Sequence, residues 1–278
     1  MNKLPKEKQV GIIRCLIEGC SIRATARLND VAINSVVKLL LDAGRACGDY
    51  HNEHVRGLHS KRVQVDEIWA FCRMKAKQAA KNGLEGVWGV GDIWTWTAID
   101  ADSKLMVSYS LGRRDYEAAV AFIDDLAERL TGRIQLTSDA LKVYVTAVDE
   151  VFGRDIDYAV LQKVYASSQT GDTRYSPAKV VGVVEQRVTG KPDPKHISTS
   201  YVERSNLTWR MTNRRYTRLT NAFSKKVENH ERSVSLTFMH YNFCRIHQTL
   251  RVTPAMEAGL TDHVWSIEEL LDRIGISK

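Results

Sequence analysis

The run "RVQVDEIWAF", residues 62–71, alternates along its length. Val63 and Val65 fall on one face, and Gln64, Asp66 and Ile68 on the other. That period of two predicts a strand with an acid near its end. Glu67 neighbours Asp66 but points to the opposite face. Downstream, "IWTWTAIDADSKLMVSYSLG" predicts two more strands joined by a turn-rich DADSK hairpin. Asp92, Asp100 and Asp102 read as residues of strand ends and turns. "DYEAAVAFIDDLAERL" predicts an amphipathic helix with Ala119, Phe122, Ile123, Leu126 and Leu130 as its stripe. "RIQLTSDA" predicts a fourth strand ending at Asp139, "LKVYVTAVDEVFG" a helix stopped by Gly153, and "IDYAVLQKVY" a fifth strand. Three strands that can pair antiparallel, followed by helix, strand, helix and strand, imply an α/β fold: a mixed sheet flanked by helices.

Between Ala166 and Ser200 the pattern dissolves into "SSQTGDTRYSP" and "TGKPDPKHISTS", with the apolar "VVGVVEQRV" between them as a candidate short strand. A loop of this length is functional or disordered. From Tyr201 a long helical pattern resumes until Pro254 breaks it. Ser266 and Glu269 then offer a capping box for a terminal helix.

Upstream of the sheet, three short helices are expected within residues 1–48. Val10, Ile13, Leu16 and Ile17 form one stripe, Ser21 is an N-cap, and Val36, Val37, Leu40 and Leu41 form the third face, with Gly44 as its stop. A tight turn between the last two matches a helix-turn-helix, whose exposed Asn34, Ser35 and Lys38 would meet DNA bases. The same pattern fits a three-helix cap with no DNA contact. Residues 49–60 read as a polar linker, 61–260 as the catalytic domain and 261–278 as a C-terminal helix.

The 278 residues carry a formal net charge of +7. The charge is concentrated: from Glu203 to Arg232 six arginines and two lysines face three glutamates, a balance of +5. A surface that basic meets a polyanion. Five cysteines without a C-x-x-C pair predict free thiols in a reducing compartment, with neither a disulfide framework nor a zinc finger. No apolar run has membrane length.

Asp66 late in the first strand and Asp139 at the end of the fourth could meet if those strands are neighbours. Paired carboxylates repel unless a cation bridges them. Hard oxygen ligands suit Mg²⁺ or Mn²⁺, and a third acid from a helix against the sheet would complete a two-metal site for phosphoryl transfer. Glu203 fits that place, with Arg210 two turns along the same helical face. Glu185 is a rival third acid.

The segments "VDEIWAF", "TSDALKVY", "YVERSNLTWR" and "YNFCRIHQTLRVTPA" together resemble the DDE transposases of the insertion-sequence-one family, over roughly Lys61 to Thr261. The resemblance implies a ribonuclease-H-like catalytic domain. It implies Asp66, Asp139 and Glu203 as catalytic metal ligands for Mg²⁺ or Mn²⁺, and Arg210 as the basic residue that follows the glutamate. Asn206 lies in the same motif, and Arg214 and Arg215 follow among the arginines expected on DNA. The expected protein is a transposase that cuts transposon ends and joins them to target DNA, as a homo-oligomer, in the bacterial cytoplasm with the nucleoid. Two alternatives are a non-catalytic DNA-binding regulator and a metal-dependent nuclease without strand transfer. In the last motif, Tyr241, Asn242, Arg245 and His247 either brace the final helix or, for His247, assist catalysis.

Overall fold

The alternating run forms strand β1, Arg62–Cys72, in a computed structural model that describes residues 4–166, 180–217 and 220–276. On one flank β1, which a short helix α4 (Ala76–Lys81) follows, pairs antiparallel with β2, Gly91–Asp100. On the other it pairs in parallel with β4, Gln135–Ser138. β3 (Met106–Gly112), β5 (Asp157–Tyr165) and β6 (Val180–Thr189) complete a mixed six-stranded sheet of order β3-β2-β1-β4-β5-β6. The β2–β3 hairpin turns where expected. Asp100 Oδ1 accepts the backbone N–H groups of Asp102 (2.7 Å) and Ser103 (2.8 Å), an Asx turn that matches the turn reading of these acids.

The alternation of β1 separates two apolar faces. Val63 and Val65 join Phe122, Ile123 and Leu126 of α5 (Tyr116–Arg129) and Tyr144 and Ala147 of α6 (Lys142–Phe152). Ile68 and Ala70 face Trp209 of α7 (Ser200–Thr212) and Phe238 of α8 (Val227–Phe243). Helices therefore cover both sides, as a sheet with parallel strands requires.

The candidate strand "VVGVVEQRV" is β6, antiparallel to β5 at the sheet edge. Two other expectations about elements differ from the structure. The "SSQTGDTRYSP" stretch lies outside the described residues, as does Arg218. The helical pattern after Tyr201 is two helices. Asn213 ends α7, and its Oδ1 accepts the Arg215 N–H at 3.1 Å to start a short 3-10 turn, Arg214–Tyr216. α8 itself ends at Phe243, and Pro254 opens a separate short helix, α9, Pro254–Glu257.

The N-terminal helices are α1 (Lys6–Ile17), α2 (Ile22–Leu28) and α3 (Ile33–His54), the last longer than expected. Ser21 caps α2 through Ala24 N–H at 3.1 Å. Gly44 does not stop α3, which continues for another ten residues, so 49–54 of the expected linker are helical. A Cβ at Gly44 would sit 2.2 Å from the carbonyl oxygen of Arg232. The glycine is there because α8 crosses α3 at that point, a tertiary demand that a local reading takes for a helix end. His51, expected in a solvated linker, is buried, its Nε2 3.1 Å from the Met106 carbonyl. Ile12, Val36 and Leu40 share one continuous apolar cluster with the sheet and with Leu270 and Leu271 of the capped terminal helix α10, Ile267–Arg273.

Candidate metal centre

The β1–β4 ladder has a parallel register in which Val63 faces Leu136 and Gln64 faces Thr137. Two residues beyond Gln64 on β1 is Asp66, and two beyond Thr137 is Asp139. Side chains that sequence separates by a whole βαβ passage are thus brought abreast where the ladder ends. Asp66, Glu67 and Asp139 each offer a carboxylate oxygen, and these oxygens lie within 4.8 Å of one another.

Each acid is held in place. Asp66 Oδ1 accepts the Glu67 N–H at 2.8 Å, and its Oδ2 accepts Nδ2 of Asn206 at 2.8 Å. Asp139 Oδ1 accepts the Leu141 N–H at 2.9 Å, which fixes the turn into α6. Glu67 leaves β1 on the side opposite Asp66, as alternation requires, and is buried between Arg114 and Tyr144. The Arg114 Nε donates to its Oε1 at 2.7 Å and the Tyr144 hydroxyl to its Oε2 at 3.1 Å. Arg114 in turn lies over the Trp94 ring, 4.7 Å from its centroid.

The electrostatics are those of crowded carboxylates. Burial, then the charge of Glu67, pushes the Asp66 carboxyl up to about 8, with Asp139 and Glu203 adding to the rise. Burial and Asp139 also raise Glu67, against the pull of Arg114. Oxygen-only donors that repel one another suit a hard divalent cation. Beside them, the buried Oδ1 of Asn206 has no hydrogen-bond partner among the described residues, an acceptor oriented by the same amide that holds Asp66. The donor set fits Mg²⁺ or Mn²⁺.

The fit differs from the expected trio in its third member. Glu203 acts on Asp66 through its charge, yet it lies outside the close group and is turned to Lys163 of β5 and to the Thr199 hydroxyl, which donates to its Oε1 at 2.6 Å. Glu67 occupies the near position that its strand face had argued against. The signal in the sequence was its adjacency to Asp66, in the middle of β1. Glu185, on the exposed edge strand β6, is opposite Leu161 in the ladder.

The start of α7 is set by Gln64, a polar residue of the alternating strand. Thr199, the N-cap, makes no side-chain cap bond. Instead the buried Gln64 Oε1, from β1, accepts the N–H groups of Tyr201 (2.8 Å) and Val202 (3.1 Å). A cross-element cap of this kind satisfies two orphan donors and ties the helix of Glu203 and Asn206 to the strand of Asp66.

Of the residues expected on DNA, Asn206 and Arg210 lie on α7, and Arg214 and Arg215 on the turn after it. Asn34, Ser35 and Lys38 lie on the first turns of α3, with Asn34 and Lys38 exposed and Lys38 paired to Asp42. The last motif is a brace. Asn242 donates to the Met106 carbonyl and accepts its N–H, both at 2.9 Å, and the Tyr241 hydroxyl donates to the Lys104 carbonyl at 3.0 Å. The His247 backbone N–H closes a turn onto Val252 at 2.9 Å.

No helix among the described residues is long and apolar enough to cross a membrane. No protein-family model matches the chain, and no curated protein matches it. Among solved structures it is similar to a piggyBac transposase in a synaptic complex with hairpin DNA, at 9% identity and a TM-score of 0.37. The match covers 78% of this chain and 52% of that one, so the chain spans about half of that protein's length.

Proposed function

We propose that this chain is a DNA transposase of the DDE type, cutting one strand at each end of a mobile element and joining the freed 3′-OH to target DNA. The observation that carries the reading is the β1–β4 register, which sets Asp66 abreast of Asp139 with Glu67 between Arg114 and Tyr144. The family resemblance stated above, in the motifs around Asp66, Asp139 and Glu203, points the same way.

Asp66, Glu67 and Asp139 would hold a divalent cation, with Glu203 as the further acid that α7 supplies. When bound, Mg²⁺ or Mn²⁺ supplies Lewis acidity toward a phosphodiester and its attacking oxygen. Asn206 orients Asp66, Gln64 anchors α7, and Arg114 and Tyr144 hold Glu67. Arg210, Arg214 and Arg215 would take DNA phosphates, with an affinity that falls as salt rises. Asn34, Ser35 and Lys38, presented by α3, would read the element's ends, and the DNA's two ends call for a homo-oligomer.

The test is a nicking assay on a duplex bearing the inverted repeats that flank the gene. Cleavage leaving a 3′-OH is expected in Mg²⁺ or Mn²⁺ and none in EDTA. Full nicking in EDTA rejects the metal centre, and the absence of flanking repeats rejects transposition.

A further inference from the structure

Beyond Gln64 the β4 ladder no longer covers β1, and among the described residues the next bridge on that edge is Cys72 to Ser224. Between these points lies a cavity of about 420 Å³, lined by Trp69, Phe71, Phe223, Tyr216, Lys75 and Arg215 among others. Its wall is a ladder of rings. Phe71 stacks on Phe223 with centroids 4.8 Å apart and planes 29° apart, and Trp69 lies 5.8 Å from Phe71. The Lys75 ammonium stands 6.0 Å from the Phe71 ring centre. Trp69 is three residues along β1 from Asp66, about 10 Å at strand rise.

Arg215 is the unusual member. Its Nε donates to the Ser224 hydroxyl and its Nη1 to the Ser233 hydroxyl, both at 2.8 Å. No carboxylate among the described residues pairs with it, and its Nη2 makes no hydrogen bond there. Burial pushes its guanidinium down to about 10, with no neighbouring acid to offset the cost. A protein keeps such a cation where an anion arrives from outside. Flat rings and an unpaired cation in one cavity match the two halves of a nucleotide: a base that stacks and a phosphate that pairs. Duplex DNA hides its bases, so the occupant must be unstacked.

We propose that this pocket takes a single unpaired nucleotide of the DNA strand next to the acid cluster, its base against Trp69, Phe71 and Phe223 and its phosphate on Arg215. The inference rests on the DNA-processing reading of that cluster.

The experiment compares wild type with Phe223→Ala in fluorescence-anisotropy binding to three DNAs of the element's end: fully paired, carrying unpaired bases at the cleavage site, and carrying abasic residues at the same positions. Wild type should prefer the unpaired-base DNA by about ten-fold or more, the scale of base–aromatic stacking. Phe223→Ala should lose most of that preference, bind paired DNA as wild type does, and show no further loss on abasic DNA. Trp69→Leu is the second variant, should Phe223→Ala lose its far-ultraviolet circular dichroism, and the same pattern is expected of it. Equal binding of all three DNAs by wild type overturns the pocket, even when cleavage proceeds and the transposase reading stands. The stated preference without metal-dependent cleavage leaves the pocket standing and removes that reading. A change of oligomeric state in the variants with unchanged DNA preference assigns the pocket to a second copy of the chain and overturns the proposal.

Discussion

Glu203 meets two partners that stand where a cation's pull would compete: the Lys163 ammonium on one oxygen and the Thr199 hydroxyl on the other. Glu67 meets Arg114 and Tyr144 but lies within the close acid group. The two acids therefore make separable predictions. Glu203→Gln should leave DNA binding intact and lower strand cleavage by ~10²-fold or more, the scale of one preorganised electrostatic element. Glu67→Gln should weaken Mg²⁺ affinity by about 10–100-fold, read by calorimetric titration. Glu185→Gln is the control and should change neither. Normal cleavage by Glu203→Gln, with loss in Glu67→Gln, would make Glu67 the third acid of the reaction. Asp66 and Asp139 were legible because a period of two, and for Asp139 a strand end, are local properties, and a parallel neighbour brings them together; Asp66 itself lies in the middle of β1 and not late in it. The place of Glu67 was not legible, since alternation sends it to the other face, where Arg114 and Tyr144 hold its carboxylate near the two aspartates.

At the scale of elements, Gly44 and α3 carry the sharpest expectation. Gly44→Ala puts a methyl group 2.2 Å from the Arg232 carbonyl, so α8 must move away. The cost should be about 1–3 kcal/mol, as for an overpacked core, although alanine is the better helix former. Urea unfolding measures it, and a gain in stability would mean that the helices do not cross there. At the N-terminal end of the same helix, Asn34→Ala with Lys38→Ala should abolish preference for the element's ends in competition gel shifts while non-specific, salt-sensitive binding persists. Unchanged preference would leave α1–α3 as a cap. Strands β1 to β5 and helices α5 and α6 were readable because their periodicities are strong and their stops local. The run of α3 through Gly44 and the break at Asn213 were not, because each answers to a partner far off in sequence: Arg232 and Ser233.

Across the whole molecule, buried histidines set the response to acid. Burial, helped by Arg129 and Arg215 respectively, pushes His51 and His230 down to about 3, and burial with Arg245 pushes His240 down to about 4. Unfolded, each titrates near its ordinary value of about 6.5. As pH falls through that value the unfolded chain gains protons that the fold refuses, and stability is lost, about 1.4 kcal/mol per unit for each histidine. Asp66 has the opposite sign. Held up to about 8, it is protonated in the fold before the unfolded carboxyl is, so it adds stability as pH drops from about 8 toward 4. Glu67, also raised, acts on the same side as Asp66, so the two acids offset part of the histidines' loss as pH falls, and the offset shrinks with Mg²⁺ present because a bound cation keeps Asp66 ionised. Melting temperature against pH, with and without EDTA, checks both statements, and a flat profile from pH 7 to 5 rejects the buried neutral histidines. The unbroken α3 has a mechanical meaning as well. Its 22 residues make a rod about 33 Å long. Near one end Val36 and Leu40 are buried in the common core, in the middle Gly44 lets α8 pack close, and at the far end His51 reaches the first residue of β3. Held at all three places, the rod splices the N-terminal helices to the sheet, so that the two share one stiffness.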